Sequence, residues 1–325
     1  MGDLLPRGPF LVRSFLYSLL LMKLAIIVCT RNRAHSILEC VRSIEVAIAN
    51  AAPVDAEIVV VDNGSTDETS AVLQQWASSC RYPVQLLFEP RKGLSRARNR
   101  ALRSTTADLL AFTDDDCRLS ADYVREFLRH DANDTGLVLR GGRVELGEPT
   151  DLPITINTSN TLTRWSLKDN SARHGCLSGP ISGCNMTMRR ALVERLGPFD
   201  ERLGAGANIP SAEDSDYNFR AYLAGATLEY VPDMTVFHHH GRKTKAAARE
   251  LQIGYEIGNG ALYLRYLFKD PNLCRPFYWS CRNALREIVT GTNVFLPEFG
   301  VSEMDRVRAN FRGAFRYLFT SKSAE

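Results

Sequence analysis

Between Leu24 and His130, largely apolar runs of strand length alternate with segments of helical period. Leu24–Cys29, Glu57–Val61, Val84–Phe88 and Asp108–Thr113 read as strands. Ile37, Val41, Ile44 and Ile48 recur on one face of a helix between the first two. Ser65 and Glu68 have the spacing of a capping box, opening a helix that buries Val72, Leu73 and Trp76. Leu94–Leu102 reads as a basic helix, and a further helix runs from about Ala121 to His130. Strands that are apolar on both faces must be covered on both faces, so the chain is expected to form a mainly parallel α/β sheet flanked by helices. From Val138 to His240 the pattern loosens into short strands and glycine-rich loops. Beyond Gly241 it becomes helical and aromatic-rich. The expected organisation is an arm at 1–21, a catalytic-sized body at 22–240 and a helical extension at 241–325.

Charge does not point to a nucleic-acid partner. The net charge of +3 is too small to imply nucleic acid. It is unevenly placed, since residues 241–325 carry 14 Lys/Arg against 8 Asp/Glu, leaving the body slightly acidic. The eight cysteines form no C-x-x-C pair and sit in apolar stretches, which reads as reduced, buried thiols in a cytoplasmic protein. The apolar stretch Phe10–Met22 is interrupted by Arg13 and is shorter than the roughly 20 residues that span a bilayer. No small-residue cleavage site follows it, so residues 1–21 read as a dispensable arm, with Met22 an alternative start.

In open parallel sheets, ligands bind beyond the carboxyl ends of the strands. Here those ends are polar: Thr30-Arg31-Asn32-Arg33 after the first strand, Asp62-Asn63-Gly64-Ser65 after the second, and Asp114-Asp115-Asp116 after the fourth. The first loop lacks the glycines of a dinucleotide site, and no G-x-x-x-x-G-K-[ST] occurs. The remaining device for holding phosphates is a divalent ion held by carboxylates. Asp114 and Asp116, two apart at a strand end, are expected to face one way and Asp115 the other. Two carboxylates on one face repel unless a cation lies near them, and a cation bridging a diphosphate meets that need. Three consecutive aspartates also suit a solvated turn with a helix N-cap.

The ordered motifs resemble glycosyltransferase family 2, a family with the GT-A (Rossmann-like) fold. They are Ile26–Arg33, Val59–Asp67, Gly93–Asn99, Thr113–Asp116, Gly183–Met186, Gly197–Glu201, Glu213-Asp214, and Pro232 with His238 six residues on. They cover roughly residues 24–240, and the last quarter is not diagnostic. The resemblance implies an inverting transferase moving a sugar from a nucleoside-diphosphate sugar to a hydroxyl on a glycan, a lipid-linked molecule or a small molecule. It implies that Thr30 and Asp62 face the base, with Arg31, Arg96 and Asn99 lining the nucleotide pocket. Asp114 would lie near the ribose beside Asp115, and Gly183 and Asn185 would border the sugar. Asp116 and His238 would bind Mn²⁺ or Mg²⁺, the nitrogen ligand favouring Mn²⁺. Asp214 would be the general base, with Glu213 the alternative; both also suit a helix first turn, where acidic residues complement the dipole.

Two other functions share parts of this pattern. A nucleotidyltransferase making nucleotide sugars would want a glycine-rich loop after the first strand. A non-catalytic sugar-nucleotide-binding module would not need the Glu-Asp pair. In the extension, Tyr263, Arg265, Tyr266, Phe268 and Lys269, and later Phe311–Phe319, interleave bases with aromatics. These suit helices packed on the body with arginines reaching outward, or a peripheral contact with the inner face of a membrane.

Overall fold

The structure is a computed structural model that describes residues 22–167, 180–293 and 295–320. The arm expected at 1–21 lies outside the described residues. The parallel half of the sheet is built from β1 (Leu24–Thr30), β2 (Ala56–Asp62), β3 (Val84–Phe88) and β4 (Leu109–Asp114). Helices α1 (Ile37–Ala51), α2 (Thr69–Ala77) and α3 (Leu94–Ser104) connect them. There follow β5 (Cys117–Leu119), α4 (Tyr123–Asp131), β6 (Val138–Leu146), β7 (Thr163–Trp165), β8 (Asn185–Arg189), α5 (Arg190–Leu196), α6 (Glu213–Leu223) and β9 (Thr227–His238). The last quarter holds α7 (Lys245–Tyr266), α8 (Arg275–Thr290) and α9 (Glu303–Phe319).

One nine-stranded sheet runs in the order β3-β2-β1-β4-β8-β6-β9-β5, with β7 on β9. Strands β3, β2, β1 and β4 are parallel, as the alternating pattern requires. Beyond β4 the sheet is mixed: β8 is antiparallel to both β4 and β6, and β6 is parallel to β9. That half of the sequence lacks the regular strand–helix alternation, and antiparallel neighbours do not require crossover helices.

The period of two along the strands separates two apolar cores. Leu24, Ile26, Val28, Ile58 and Val60 pack against α1, α2 and α4 through Val41, Ile44, Trp76 and Phe127. Ala25, Ile27, Val59 and Val61 face the opposite core with Ala97, Phe199, Phe219 and Tyr263. The expected capping box does not form. Helix α2 begins at Thr69, the Ser65 hydroxyl accepts the Asn32 N–H at 2.9 Å, and Asp67 accepts the Thr69 N–H at 3.0 Å. Ser65 is used to tie the loop after β2 to the loop after β1.

The extension is fastened to the body. Ile257, Ala261, Leu262, Tyr263 and Tyr266 of α7 belong to the same core as Phe112 and Phe219. Tyr263 and Tyr266 are therefore core residues and not surface aromatics, and Arg265 pairs with Asp200 at 2.5 Å and Asp216 at 3.0 Å. Helix α9 crosses α7 at backbone distance. A Cβ on Gly313 would lie 1.8 Å from the Ile257 carbonyl, and one on Gly260 1.9 Å from that of Asn310. Alanine is the better helix former, yet Gly313→Ala is expected to lower unfolding stability by about 1–3 kcal/mol through overpacking. Chemical denaturation checks this; a stabilised variant would show that the helices do not meet there.

Candidate active site

Register brings the polar strand ends level. Thr30 pairs with Asp62 across β1 and β2, and Cys29 with Asp114 across β1 and β4. Beyond them opens a cleft of about 950 Å³ lined by Thr30, Arg31, Asp114, Asp115, Asp116, Gly183, Asp214 and His238. Its far wall comes from the extension, through Gln252, Tyr255 and Asn259 of α7 and Arg306 of α9.

Arg98 organises one side of this cleft. Its guanidinium, 2% exposed, reaches Asp114 at 3.4 Å, Glu213 at 3.3 Å and the Gly183 carbonyl at 3.0 Å. It also lies over the rings of Phe112 and Phe199, 5.9 and 5.5 Å from their centroids. Burial opposes its charge, but the carboxylates of Glu213 and Asp114 more than compensate and hold it protonated. A side chain on Gly183 would meet this guanidinium at 2.8 Å, so glycine is what permits the approach. The sequence reading singled out Arg96 and Asn99 in the same helix but not Arg98. Its signal was the helical period, which puts residue 98 on the inward stripe with Leu94 and Ala101.

The three aspartates do not alternate simply, because the chain turns at Asp115-Asp116 before β5. Asp114 faces Arg98. Asp115 and Asp116 share Arg33, at 3.1 and 3.3 Å, and the Arg31 N–H donates to Asp115 at 3.3 Å. Burial pushes the Asp115 carboxyl up to about 6, with Arg33 opposing. Asp116 Oδ1 lies 3.3 Å from His238 Nε2, at the end of β9. Burial works against both charges, but their mutual hydrogen bond prevails: His238 is raised to about 9 and Asp116 is held below its ordinary range. The carboxylate and the imidazole converge on the cleft as an oxygen–nitrogen pair able to hold a divalent cation. Cys117 and Cys184 stand behind the imidazole, with ligand atoms within 4.8 Å of one another and of His238. No sequence spacing linked them.

Asp214 and Glu213 open α6 immediately after Ala212, whose φ of 76° is left-handed. Asp214 lines the cleft, accepting the Gly183 N–H at 3.1 Å and the Ser215 N–H at 2.7 Å. Glu213 also borders the cleft, but its carboxylate is turned against Gly204 and Arg98. Burial and the neighbouring Asp214 raise Glu213 from 4.5 to about 7, Arg98 opposing. Ala212, Asn32 (φ 55°) and Thr155 (φ 57°) are the non-glycine residues with positive φ among the described residues. Ala212 and Thr155 line the cleft, and Thr155 contacts His238 Nδ1 at 3.3 Å. Such strain persists where the surroundings over-determine it, commonly at functional sites.

Four expected residues are placed elsewhere. Asn99 is buried, clamping the Phe199 backbone through bonds of 2.9 and 2.8 Å, and does not line the cleft. Asn185, fully buried, bonds the carbonyls of Arg143 and Met234 and the Tyr123 hydroxyl. Arg96 pairs with Glu201 at 3.0 Å. The Asp62 carboxylate accepts from the Ser65 N–H at 2.8 Å and from the Ser70 hydroxyl, and Asn63 lines the cleft beside it.

The glycosyl transferase family 2 model matches residues 25–197, more than half of the chain. The chain belongs to that family. Family relatives include the glycosyltransferase AglE of Haloferax volcanii, 25% identical over 215 residues covering 66% of each chain. The succinoglycan biosynthesis protein ExoU of Rhizobium meliloti is 27% identical, with 63% of this chain and 58% of ExoU covered. An N-acetylglucosaminyltransferase of Bradyrhizobium diazoefficiens is 30% identical, with coverage of 64% and 43%. The chain thus spans two-thirds or less of the length of these curated relatives. Among solved structures, the mannosyltransferase PcManGT of Pyrobaculum calidifontis, in complex with GDP-Man and Mn²⁺, superposes with a TM-score of 0.59. That match has 19% identity over 91% of this chain and 87% of PcManGT. TarS 1-349 of S. aureus with UDP-GlcNAc gives a TM-score of 0.53 at 18% identity, over 91% and 89%. At these identities the likeness establishes the fold, GT-A.

Two outcomes follow for the family 2 site. Arg98→Met strands the buried carboxylate of Glu213 and removes the partner of the half-buried Asp114, and is expected to cost about 2–4 kcal/mol in denaturant titrations, whereas an exposed pair would cost almost nothing. Glu213 has a raised folded pKa, so between 4.5 and about 7 the folded state binds more proton than the unfolded chain. Its contribution to stability therefore falls as pH rises through that window. Glu213→Gln should gain melting temperature relative to the parent on going from about pH 5 to about pH 8; parallel pH profiles would refute the raised pKa.

Proposed function

We propose that this family 2 protein transfers a glycosyl group from a nucleoside-diphosphate sugar to an acceptor hydroxyl with inversion. The convergence of Asp116, His238 and Asp214 on one cleft carries the reading. Residues 22–240 supply the donor site, and the helices beyond close its acceptor side. Asp116 and His238 would hold a divalent cation, Mn²⁺ or Mg²⁺, which when bound neutralises charge on a departing diphosphate. The oxygen–nitrogen donor pair 3.3 Å apart suits such an ion. PcManGT, solved with Mn²⁺ and GDP-Man, supports both cation and donor class by likeness of fold.

Asp214 acts as the base. The Gly183 and Ser215 N–H groups orient its carboxylate toward the cleft, while Glu213 is turned inward toward Arg98. As the acceptor oxygen bonds to the anomeric carbon, its proton passes to Asp214. The anomeric C–O bond breaks, and its electron pair leaves with the nucleoside diphosphate. Thr30, Arg31 and Asn63 line the half of the cleft nearest β1 and β2, where the base would lie, and Asp114 adjoins the ribose position. Glycan, lipid-linked and small-molecule hydroxyls all satisfy the chemistry at Asp214.

Nucleoside diphosphate release from a panel of donors, with and without chelator, tests the reading. Asp214→Asn should lose about a hundredfold or more in kcat while retaining donor affinity. Asp116→Asn should lose cation-dependent donor binding as well. Pyrophosphate as product would identify a nucleotidyltransferase, and near-parental turnover in Asp214→Asn would remove it as the base.

A further inference from the structure

Away from the cleft, α8 and α9 present a surface unlike the rest of the protein. The helices run antiparallel: the Glu303 N–H at the start of α9 donates to Glu287 near the end of α8 at 2.8 Å. At the other end, the Phe277 and Phe311 rings meet edge-on, 5.3 Å apart. The inward positions are accounted for, since α9 packs Ala309, Asn310 and Gly313 onto α7. The outward positions are apolar too. On α8, Trp279, Leu285, Ile288 and Val289 are exposed, Val289 by 85%. On α9, Phe311, Phe315, Leu318 and Phe319 form a stripe, Phe319 exposed by 72%. The exposed face of a globular helix is ordinarily its polar one.

The exposed charges of these two helices have one sign. Every exposed charged residue of α8 and α9 is an arginine: Arg275, Arg282, Arg286, Arg308 and Arg312. The acidic residues of the two helices are buried or half-buried, Glu287 and Glu303 lying between them. Arg282 sits over the Trp279 ring, 5.0 Å from its centroid. A second copy of the chain meeting this face about a twofold axis would bring two patches of the same positive charge together, because an isologous contact uses the same surface of both chains. An anionic bilayer complements it, accepting the aromatic and aliphatic side chains at headgroup depth and the guanidiniums on phosphates. No helix among the described residues is long and apolar enough to cross a membrane, so the contact would be interfacial.

We infer that the outward face of α8 and α9 docks on an anionic lipid surface. The inference goes beyond the reaction and does not depend on it. Co-sedimentation of the full chain tests it, using phosphatidylcholine vesicles with and without roughly one-third phosphatidylglycerol, at low and high salt. The expected result is binding to the anionic vesicles, weakened about tenfold or more without phosphatidylglycerol, at high salt, in Phe315→Ser/Phe319→Ser and in Arg282→Glu/Arg286→Glu. Both variants change exposed residues remote from the cleft and should retain the parental melting temperature and rate of donor hydrolysis. Equal sedimentation with both vesicle types, or no effect of well-folded variants, overturns the inference. So does a concentration-dependent dimer dissolved by Phe315→Ser/Phe319→Ser without vesicle binding, which would assign the face to a second copy. Should a variant fail to fold, the lipid and salt dependence of the parent decides alone.

Discussion

The buried guanidinium of Arg98 is the interaction on which the geometry of the cleft depends. It draws together the end of β4 through Asp114, the start of α6 through Glu213, and the loop before β8 through the Gly183 carbonyl. These segments are far apart in sequence, and each carries negative or partial negative charge. Without a central cation they would repel, most strongly at the buried Glu213. Two aromatic rings flank the guanidinium and exclude water from it, and the absence of a side chain at Gly183 lets the loop close over it. The cost of burying one arginine is offset by fixing three walls of one site.

The second organising feature is the division of labour among crowded carboxylates. Asp114 answers to Arg98, Asp115 and Asp116 to Arg33, and Asp116 also to His238. Asp214 alone is held by backbone N–H groups and the adjacent Ser215 hydroxyl, with its carboxylate on the cleft. The backbone strain at Ala212 fits this arrangement. Consecutive residues of one helix start face different partners, Glu213 toward Arg98 and Asp214 toward the Gly183 N–H.

Much of this was legible in sequence for a definable reason. The parallel half of the sheet and its strand-end chemistry follow from local patterning, and register then places Thr30, Asp62 and Asp114 side by side. Asn99 and Asn185 were misplaced because a motif records that a polar residue is required, not whether it faces ligand or backbone. Both turned out to satisfy buried backbone groups. Arg98 was legible in the helical period but lay hidden in a run of four basic or polar neighbours. The contribution of Tyr255 and Arg306 to the cleft had no local signal, since it depends on α7 and α9 crossing at Gly260 and Gly313. Likewise, Tyr263 and Tyr266 look like surface aromatics until the partner face of α7 is known.

The central claim is that the cleft closed around Arg98 receives a nucleoside diphosphate together with a cation held by Asp116 and His238. Anomalous diffraction at the manganese edge, from crystals grown with Mn²⁺ and a nucleoside diphosphate, tests it most directly. The account predicts one strong peak bonded to the Asp116 carboxylate and the His238 imidazole, with diphosphate oxygens completing the coordination. A peak elsewhere, as at the surface cluster of Glu126, His130 and Asp233, or diphosphate bound with no manganese beside Asp116, would contradict it.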